Sequence, residues 1–342
     1  MSAAAALPEL QELERILANA GPGLRRYEAC EVQAVGGPLS VPVVVLGNTS
    51  PRVPAVGYFG GVHGLERIGS AVLLAWLNHL AMRLHWDEVL QRQLEAVRLV
   101  FMPVVNPGGM ARGTRANPHG VDLMRNAPVE SSGPVPFGVG GQRASNALPW
   151  YRGVAGAPME AESRALCRVV EDELLTADFS IAVDCHSGFG LADRLWFPLA
   201  HTPRPMAHLA ELHALVDIFE RSHPQHPYVI EPQSRQYLTH GDLWDHLYGV
   251  ACTRPGRVLL PLTLEMGSWL WVKKNPRQLL SRQGLFNPLI DHRHQRVLRR
   301  HLPWLDFVSR AACSHARWMP AGETLAAHAQ AAKARWYVER KP

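Results

Sequence analysis

Three apolar runs, each long enough for a strand and each ending in a histidine or a glutamate, constrain this chain more than any other feature. Residues 53–59 are nearly all apolar and stop at Gly60-Gly61, and His63-Gly64-Leu65-Glu66 comes next. Residues 180–185 run into His186-Ser187-Gly188, and residues 258–264 run into Glu265-Met266-Gly267. A run without polar alternation is what a strand covered on both faces requires. Residues 97–105 form a fourth such run. Helical spacing separates the strands: Leu73, Trp76, Leu77 and Leu80 within 68–84, then 159–175, 206–221 and a short helix near 241–247. Strands alternating with helices predict an α/β fold, a mostly parallel or mixed central sheet flanked by helices on both faces.

Further expected elements are an opening amphipathic helix at 8–17, strands at 28–35 and 42–46, and helices across 276–315. Gly21-Pro22-Gly23 ends the opening helix before the first strand. The organisation expected is an N-terminal helix within residues 1–24, a catalytic region over 25–320 and a C-terminal tail over 321–342. Residues 106–158 are rich in Gly, Pro and Asn without periodicity. Loops of that length in a compact domain are commonly functional, and 127–150 is expected either to cover part of a pocket or to be a functionless surface insertion.

Polar groups that end apolar strands are costly when buried without partners. In a chain with 17 histidines a single His-x-x-Glu says little. Three strand ends supplying two imidazoles and two carboxylates are most simply explained by convergence beyond the carboxyl edge of one sheet, where open α/β sheets bind ligands. Two histidines, one carboxylate and an open position suit a catalytic zinc, which acidifies water and polarises a carbonyl. The second carboxylate, with Glu265 as the candidate, would carry the proton from water to the leaving nitrogen. A fixed cation is needed for the oxyanion.

Composition narrows the field further. A net charge of +5 is carried almost wholly by dispersed arginines, and the densest cluster, Arg293, Arg296, Arg299 and Arg300, reads as a solvated helix face. Nucleic acid is therefore not expected as a partner, and no apolar run is long enough to span a bilayer. Five cysteines without a CxxC pair, and a Met1-Ser2-Ala3 start without a basic region, lead us to expect a cytoplasmic protein with reduced thiols. Cys185 reads as a buried strand-end thiol rather than a nucleophile. His292-Arg293-His294 lies in an arginine-rich helical stretch with no nearby carboxylate except Asp291, too few for a second metal site.

The motifs HGLE, NPGG (Asn106–Gly109), GTRAN (113–117), GVDLMRN (120–126), DCHSG and TLEMG occur in order over about residues 53–270. In that order the chain resembles the zinc metallocarboxypeptidase family, the carboxypeptidase A-like group, and within it the compact bacterial murein-peptide amidase type. The resemblance implies one zinc per chain held by His63, Glu66 and His186, with Glu265 as general base and acid. It implies Arg115, rather than Arg112, as the arginine that holds the oxyanion. Arg125 and the adjacent Asn126 fall at the substrate-binding segment, Arg125 clamping a carboxylate, and Asp122 fixes the tautomer of His63. Tyr237 resembles the mobile tyrosine that closes over substrate. Trp244 falls near the specificity-pocket position, though core packing is its plainer reading. A small peptide or peptide-like substrate is implied; nothing indicates the oligomeric state.

One departure stands out. Met124 occupies the place of a family asparagine beside Arg125, and a thioether donates no hydrogen bond. Either a terminal carboxylate is held more weakly or the substrate presents another group. An N-acyl amino acid deacylase of the aspartoacylase and succinylglutamate desuccinylase type is the alternative, because those relatives also carry His-Gly-x-Glu and Asp-x-x-Arg. A catalytically silent peptide-binding protein is the second alternative, although no ligand or general base is missing.

Overall fold

The computed structural model describes residues 7–21, 23–34 and 36–338. Pro22, Val35 at the end of the first expected strand, and the outermost parts of the expected terminal segments (1–6 and 339–342) lie outside the described residues. Eight strands are described: β1 (Leu24–Ala34), β2 (Gly37–Gly47), β3 (Ala55–Gly60), β4 (Arg98–Met102), β5 (Phe179–Ser187), β6 (Arg194–Phe197), β7 (Val229–Pro232) and β8 (Val258–Met266). They form one sheet in the order β1-β2-β4-β3-β5-β8-β6-β7. The four central strands β4, β3, β5 and β8 run parallel, whereas β1 pairs antiparallel with β2, β2 with β4, and β6 with β8. The sheet is mixed, as the sequence predicts. Every residue of β3, β4 and β5 is buried, which is why those runs are mostly apolar. Strands β6 and β7 are only four residues each and carry too little pattern to be read beforehand.

The helices are α1 (Pro8–Asn19), α2 (Arg67–Arg83), α3 (Glu88–Glu95), α4 (Pro107–Arg112), α5 (Ala161–Val169), α6 (Leu209–Ser222), α7 (Leu243–Cys252), α8 (Trp269–Lys274), α9 (Asp291–Cys313), α10 (His315–Trp318) and α11 (Gly322–Trp336). They cover both faces of the sheet. Along β5, Ile181 and Val183 point into a layer with Trp76 and Leu77 of α2, Phe219 of α6 and Trp304 of α9, whereas Ala182 points into a layer with Leu166 of α5 and Leu247 of α7. The period-2 alternation of a strand thus divides one apolar run between two cores. Helix α2 lies close on β5 because Gly69 faces it: a Cβ there would sit 2.3 Å from the Cys185 carbonyl oxygen.

Residues from 321 onward were expected as a tail; instead 322–336 form α11, docked on α6. Trp336 is 2% exposed, sets its ring against Phe197 at 4.9 Å, and donates its indole N–H to the Ile230 carbonyl at 2.8 Å. The helix is alanine-rich and buries little besides Ala332 and Trp336, so no large-residue periodicity announces it. Among the described residues no helix is long and apolar enough to cross a membrane.

What positions the site is a reversal of strand order. The chain leaves β3 for β4 on one side and later returns to β5 on the other. A crevice therefore opens between adjacent parallel strands at their carboxyl ends.

Candidate metal centre and active site

His63 and Glu66 lie in the turn between β3 and α2, with Glu66 immediately before the helix. The turn is held against the next loop closely enough that a Cβ at Gly64 would fall 2.2 Å from the Gly109 carbonyl carbon. His186 stands near the end of β5 and Glu265 near the end of β8, where they are register partners. Four side chains far apart in sequence thus meet at the carboxyl edge of the sheet.

The His63 Nδ1 lies 2.9 Å from Glu66 Oε1 and 3.2 Å from Nδ1 of His186, which is 3.1 Å from Glu66 Oε2. All three residues are buried, and their donor atoms lie within 4.8 Å of one another. Each ring's other nitrogen meets a carboxylate: His63 Nε2 is 3.0 Å from Asp122 Oδ1, and His186 Nε2 is 2.7 Å from Asp184 Oδ2. An ionised carboxylate only accepts, so both Nε2 atoms carry hydrogen and both Nδ1 lone pairs face one point. Lone pairs so close require a proton or a cation between them. Tetrahedral zinc with bonds of about 2.0–2.1 Å separates its ligand atoms by roughly 3.3 Å, close to the spacing found here. The residues fit the metal.

Electrostatics support the same reading. Burial alone would raise the Glu66 carboxyl, but His63 and His186 override it and hold Glu66 below the usual carboxylate range. Burial would lower His186, yet Asp184 and Glu66 hold it well above the usual imidazole range. Glu265 is pushed up to about 8, first by burial and then by the charge of Glu66, with His186 and Arg115 opposing. A dication between these groups would favour its ionised form. The Glu265 Oε1 accepts the Phe189 backbone N–H at 3.1 Å, which orients the carboxyl at the cleft.

Asp122 gathers several groups. Besides His63 it accepts the Met124 N–H at 3.0 Å and the Arg115 Nε–H at 2.9 Å, while Arg115 Nη1 donates to Glu66 Oε1 at 3.0 Å. Despite burial, Arg115 and His63 hold Asp122 well below the usual range. Arg112 turns away to the Pro118 carbonyl at 2.7 Å and does not line the cleft.

The cleft has a volume of about 690 Å³ and is lined by His63, Glu66, His186, Glu265, Arg115, Met124, Arg125 and Tyr237. Pro136, Val139, Pro149 and Trp150 bring the 127–150 segment to its wall, and Phe189, Trp196, Trp269 and Phe286 make the rest aromatic. Arg125 reaches it from a buried position, with Nη1 3.9 Å from Asp242 Oδ2. Asp242 caps α7, its Oδ1 accepting the N–H groups of Trp244 and Asp245, while no hydrogen bond reaches Oδ2 among the described residues. Burial, then Asp245, pushes Asp242 up to about 7.

Asn126, grouped with Arg125 as substrate-binding, is not in the cleft. Its Nδ2 donates to the Arg152 carbonyl at 2.9 Å and its Oδ1 accepts from Glu160 N at 2.6 Å, so the amide ties loops together. Trp244 is core: it packs on Phe59 and donates to Asp184 Oδ2 at 2.8 Å. Sequence reasoning passed over Asp184 and Asp242. Asp184 stands two residues before His186 on one strand, and that i, i+2 spacing shares a face. The cap position of Asp242 after Gly241 was equally legible.

A family model of the zinc carboxypeptidases matches residues 27–253. The chain belongs to the zinc carboxypeptidase family. The matched stretch contains the three candidate metal ligands, Arg115, Asp122, Arg125 and Tyr237, and ends before Glu265 and the neighbouring cleft residues Trp269 and Phe286. Among curated proteins this family member is similar to carboxypeptidase D of Anas platyrhynchos, at 24% identity over 186 residues covering 52% of this chain and 11% of that protein. It is also similar to carboxypeptidase SOL1 of Arabidopsis thaliana, at 39% over 75 residues covering 22% and 15%. The chain thus spans less than a sixth of the length of these relatives. In fold it is similar to the carboxypeptidase A of Helicoverpa armigera, with a TM-score of 0.63 at 16% identity over 93% of this chain and 74% of that one. Bovine thrombin-activatable fibrinolysis inhibitor, solved with tick carboxypeptidase inhibitor, gives 0.61 at 15% over 90% and 95%.

Proposed function

We propose that this zinc carboxypeptidase family member hydrolyses an amide bond in a peptide or peptide-like small molecule. The observation that carries the reading is the pair of Nδ1 atoms facing each other and Glu66, with Glu265 the register partner of His186. His63, Glu66 and His186 would hold zinc, which when bound acidifies water and polarises the scissile carbonyl. Glu265 accepts the proton of the attacking water at its carboxylate and delivers it to the leaving nitrogen. Arg115, braced by Asp122 and Glu66, presents positive charge to the oxyanion. The aromatic wall excludes water and favours an apolar or flat substrate group, and Tyr237, whose phenol burial keeps protonated, forms part of the cover.

Arg125 is the group for an anionic end of the substrate. Met124 adds no donor there, and Asp242 already offsets part of the charge. A free terminal carboxylate is therefore gripped less firmly than by an unopposed arginine with an amide beside it. Five unpaired cysteines favour a reducing, cytoplasmic setting.

Metal analysis and a hydrolysis screen test the proposal. Purified protein is expected to carry one zinc per chain and to lose hydrolysis of C-terminal dipeptides, γ-glutamyl peptides or N-acyl amino acids on chelation. Glu265→Gln is expected to keep zinc and to lower kcat by about 10³-fold or more. Full turnover in that variant, or activity untouched by chelation, overturns the mechanism.

A further inference from the structure

A second cavity, of about 660 Å³, shares no wall residue with the cleft. One side is the row Arg296, Arg299 and Arg300 on α9, and no carboxylate is among its lining residues. Spacings of three and four place these guanidinium groups on one side of the helix. Arg296 and Arg300 also border an adjoining cavity of about 220 Å³ whose wall includes Arg293 and Lys274. Its single carboxylate, Asp193, is already engaged: Oδ2 accepts from Arg300 at 2.8 Å and Oδ1 accepts the Gly267 N–H at 2.9 Å. Arg296 and Arg299 make no hydrogen bond or ion pair among the described residues. Arg296 and Arg299, neighbours without an acidic partner, repel one another, so their arrangement disfavours itself until an anion arrives.

The other side is aromatic and stiff. Phe219, His223, His226 and Tyr228 line it with Pro224 and Pro227, while Pro303 and Trp304 of α9 close one end. Phe219 and Trp304 meet edge to face at 4.7 Å, and the Tyr228 hydroxyl is 2.9 Å from His301 Nδ1. The Trp304 indole N–H finds no acceptor within the described protein. A solvated helix face accounts for exposed arginines, but not for their facing a concave aromatic wall. Guanidinium groups suit phosphate, and flat rings stack on flat rings.

We propose that this cavity binds a nucleoside di- or triphosphate, with its phosphates on Arg296 and Arg299 and its base against the half-buried imidazoles of His223 and His226. Calorimetric titration of the zinc-loaded protein at low salt tests it with ADP, pyrophosphate, adenosine and a short single-stranded RNA. ADP is expected to bind one per chain, and Arg296→Ala/Arg299→Ala, at exposed positions, to weaken it by roughly tenfold or more without changing hydrolysis. His223→Ala is expected to weaken ADP while leaving pyrophosphate unchanged. Absence of ADP binding at millimolar concentration, or equal binding by the double variant, overturns the site. Pyrophosphate as tight as ADP overturns the base contact, and RNA tighter than ADP overturns the small-molecule class.

Discussion

Asp184→Asn isolates the charge behind His186, one of the three proposed zinc ligands. The Asp184 Oδ2 accepts from both His186 Nε2 at 2.7 Å and Trp244 Nε1 at 2.8 Å, while Oδ1 has no partner among the described residues. An asparagine that keeps its oxygen at the Oδ2 place preserves both hydrogen bonds and removes the negative charge, at the cost of an amide NH2 at the Oδ1 place. Across the ring that charge lies roughly 7 Å from a metal on Nδ1, and at an effective dielectric of about 20 its attraction for a dication is about 5 kcal/mol. Desolvation and relaxation reduce that ceiling, and carboxylates placed behind metal-bound histidines are worth about 10–100-fold in metal affinity. The expected loss is thus about 1.4–2.8 kcal/mol. Competition against a chromophoric chelator at neutral pH reads it directly. Trp244→Phe is the control, because it removes a hydrogen bond to Asp184 but keeps the charge, and should shift zinc affinity by no more than about threefold. A folded Asp184→Asn protein that binds zinc within about threefold of the parent would refute the assignment of Asp184 as the support of His186.

Arg125→Ala is expected to raise KM for substrates with an anionic end by about 10-fold or more with a smaller change in kcat, measured by steady-state kinetics. Asp242 has its folded-state pKa raised to about 7, so its contribution to stability is complete below about pH 4 and is lost as pH rises through 7. Asp242→Asn keeps the helix cap and should flatten the pH dependence of the unfolding midpoint between pH 4 and 8; an unchanged slope would count against the buried carboxyl. Trp336→Ala empties a filled site between α11 and the sheet and is expected to cost about 3–5 kcal/mol in denaturant unfolding. Gly69→Ala drives a methyl into the Cys185 carbonyl and should destabilise α2 against β5 beyond what an exposed helical Gly→Ala change does, as the same unfolding assay will show.

The alternation of apolar runs with helical patterns was enough to predict a mostly parallel or mixed sheet covered on two faces, because burial on both sides leaves a strand little room for polar residues without partners. The endings of residues 53–59, 180–185 and 258–264 marked His63, Glu66, His186 and Glu265 for the same reason: a polar side chain closing a buried strand must have somewhere to go. Chemistry of this kind is written locally, since one residue type at a strand's end tells its own story. Tertiary structure alone decided how those ends are set beside one another, which brings the two Nδ1 atoms to 3.2 Å and makes His186 and Glu265 neighbours. It alone placed Asp242 opposite Arg125, withdrew Asn126 into the loops and docked an alanine-rich helix where a tail was expected. Those outcomes depend on distances between segments 26 to 123 residues apart or on the packing of small side chains. Neither leaves a periodic trace in one chain, because the free energy of such contacts belongs to pairs of surfaces rather than to any single stretch.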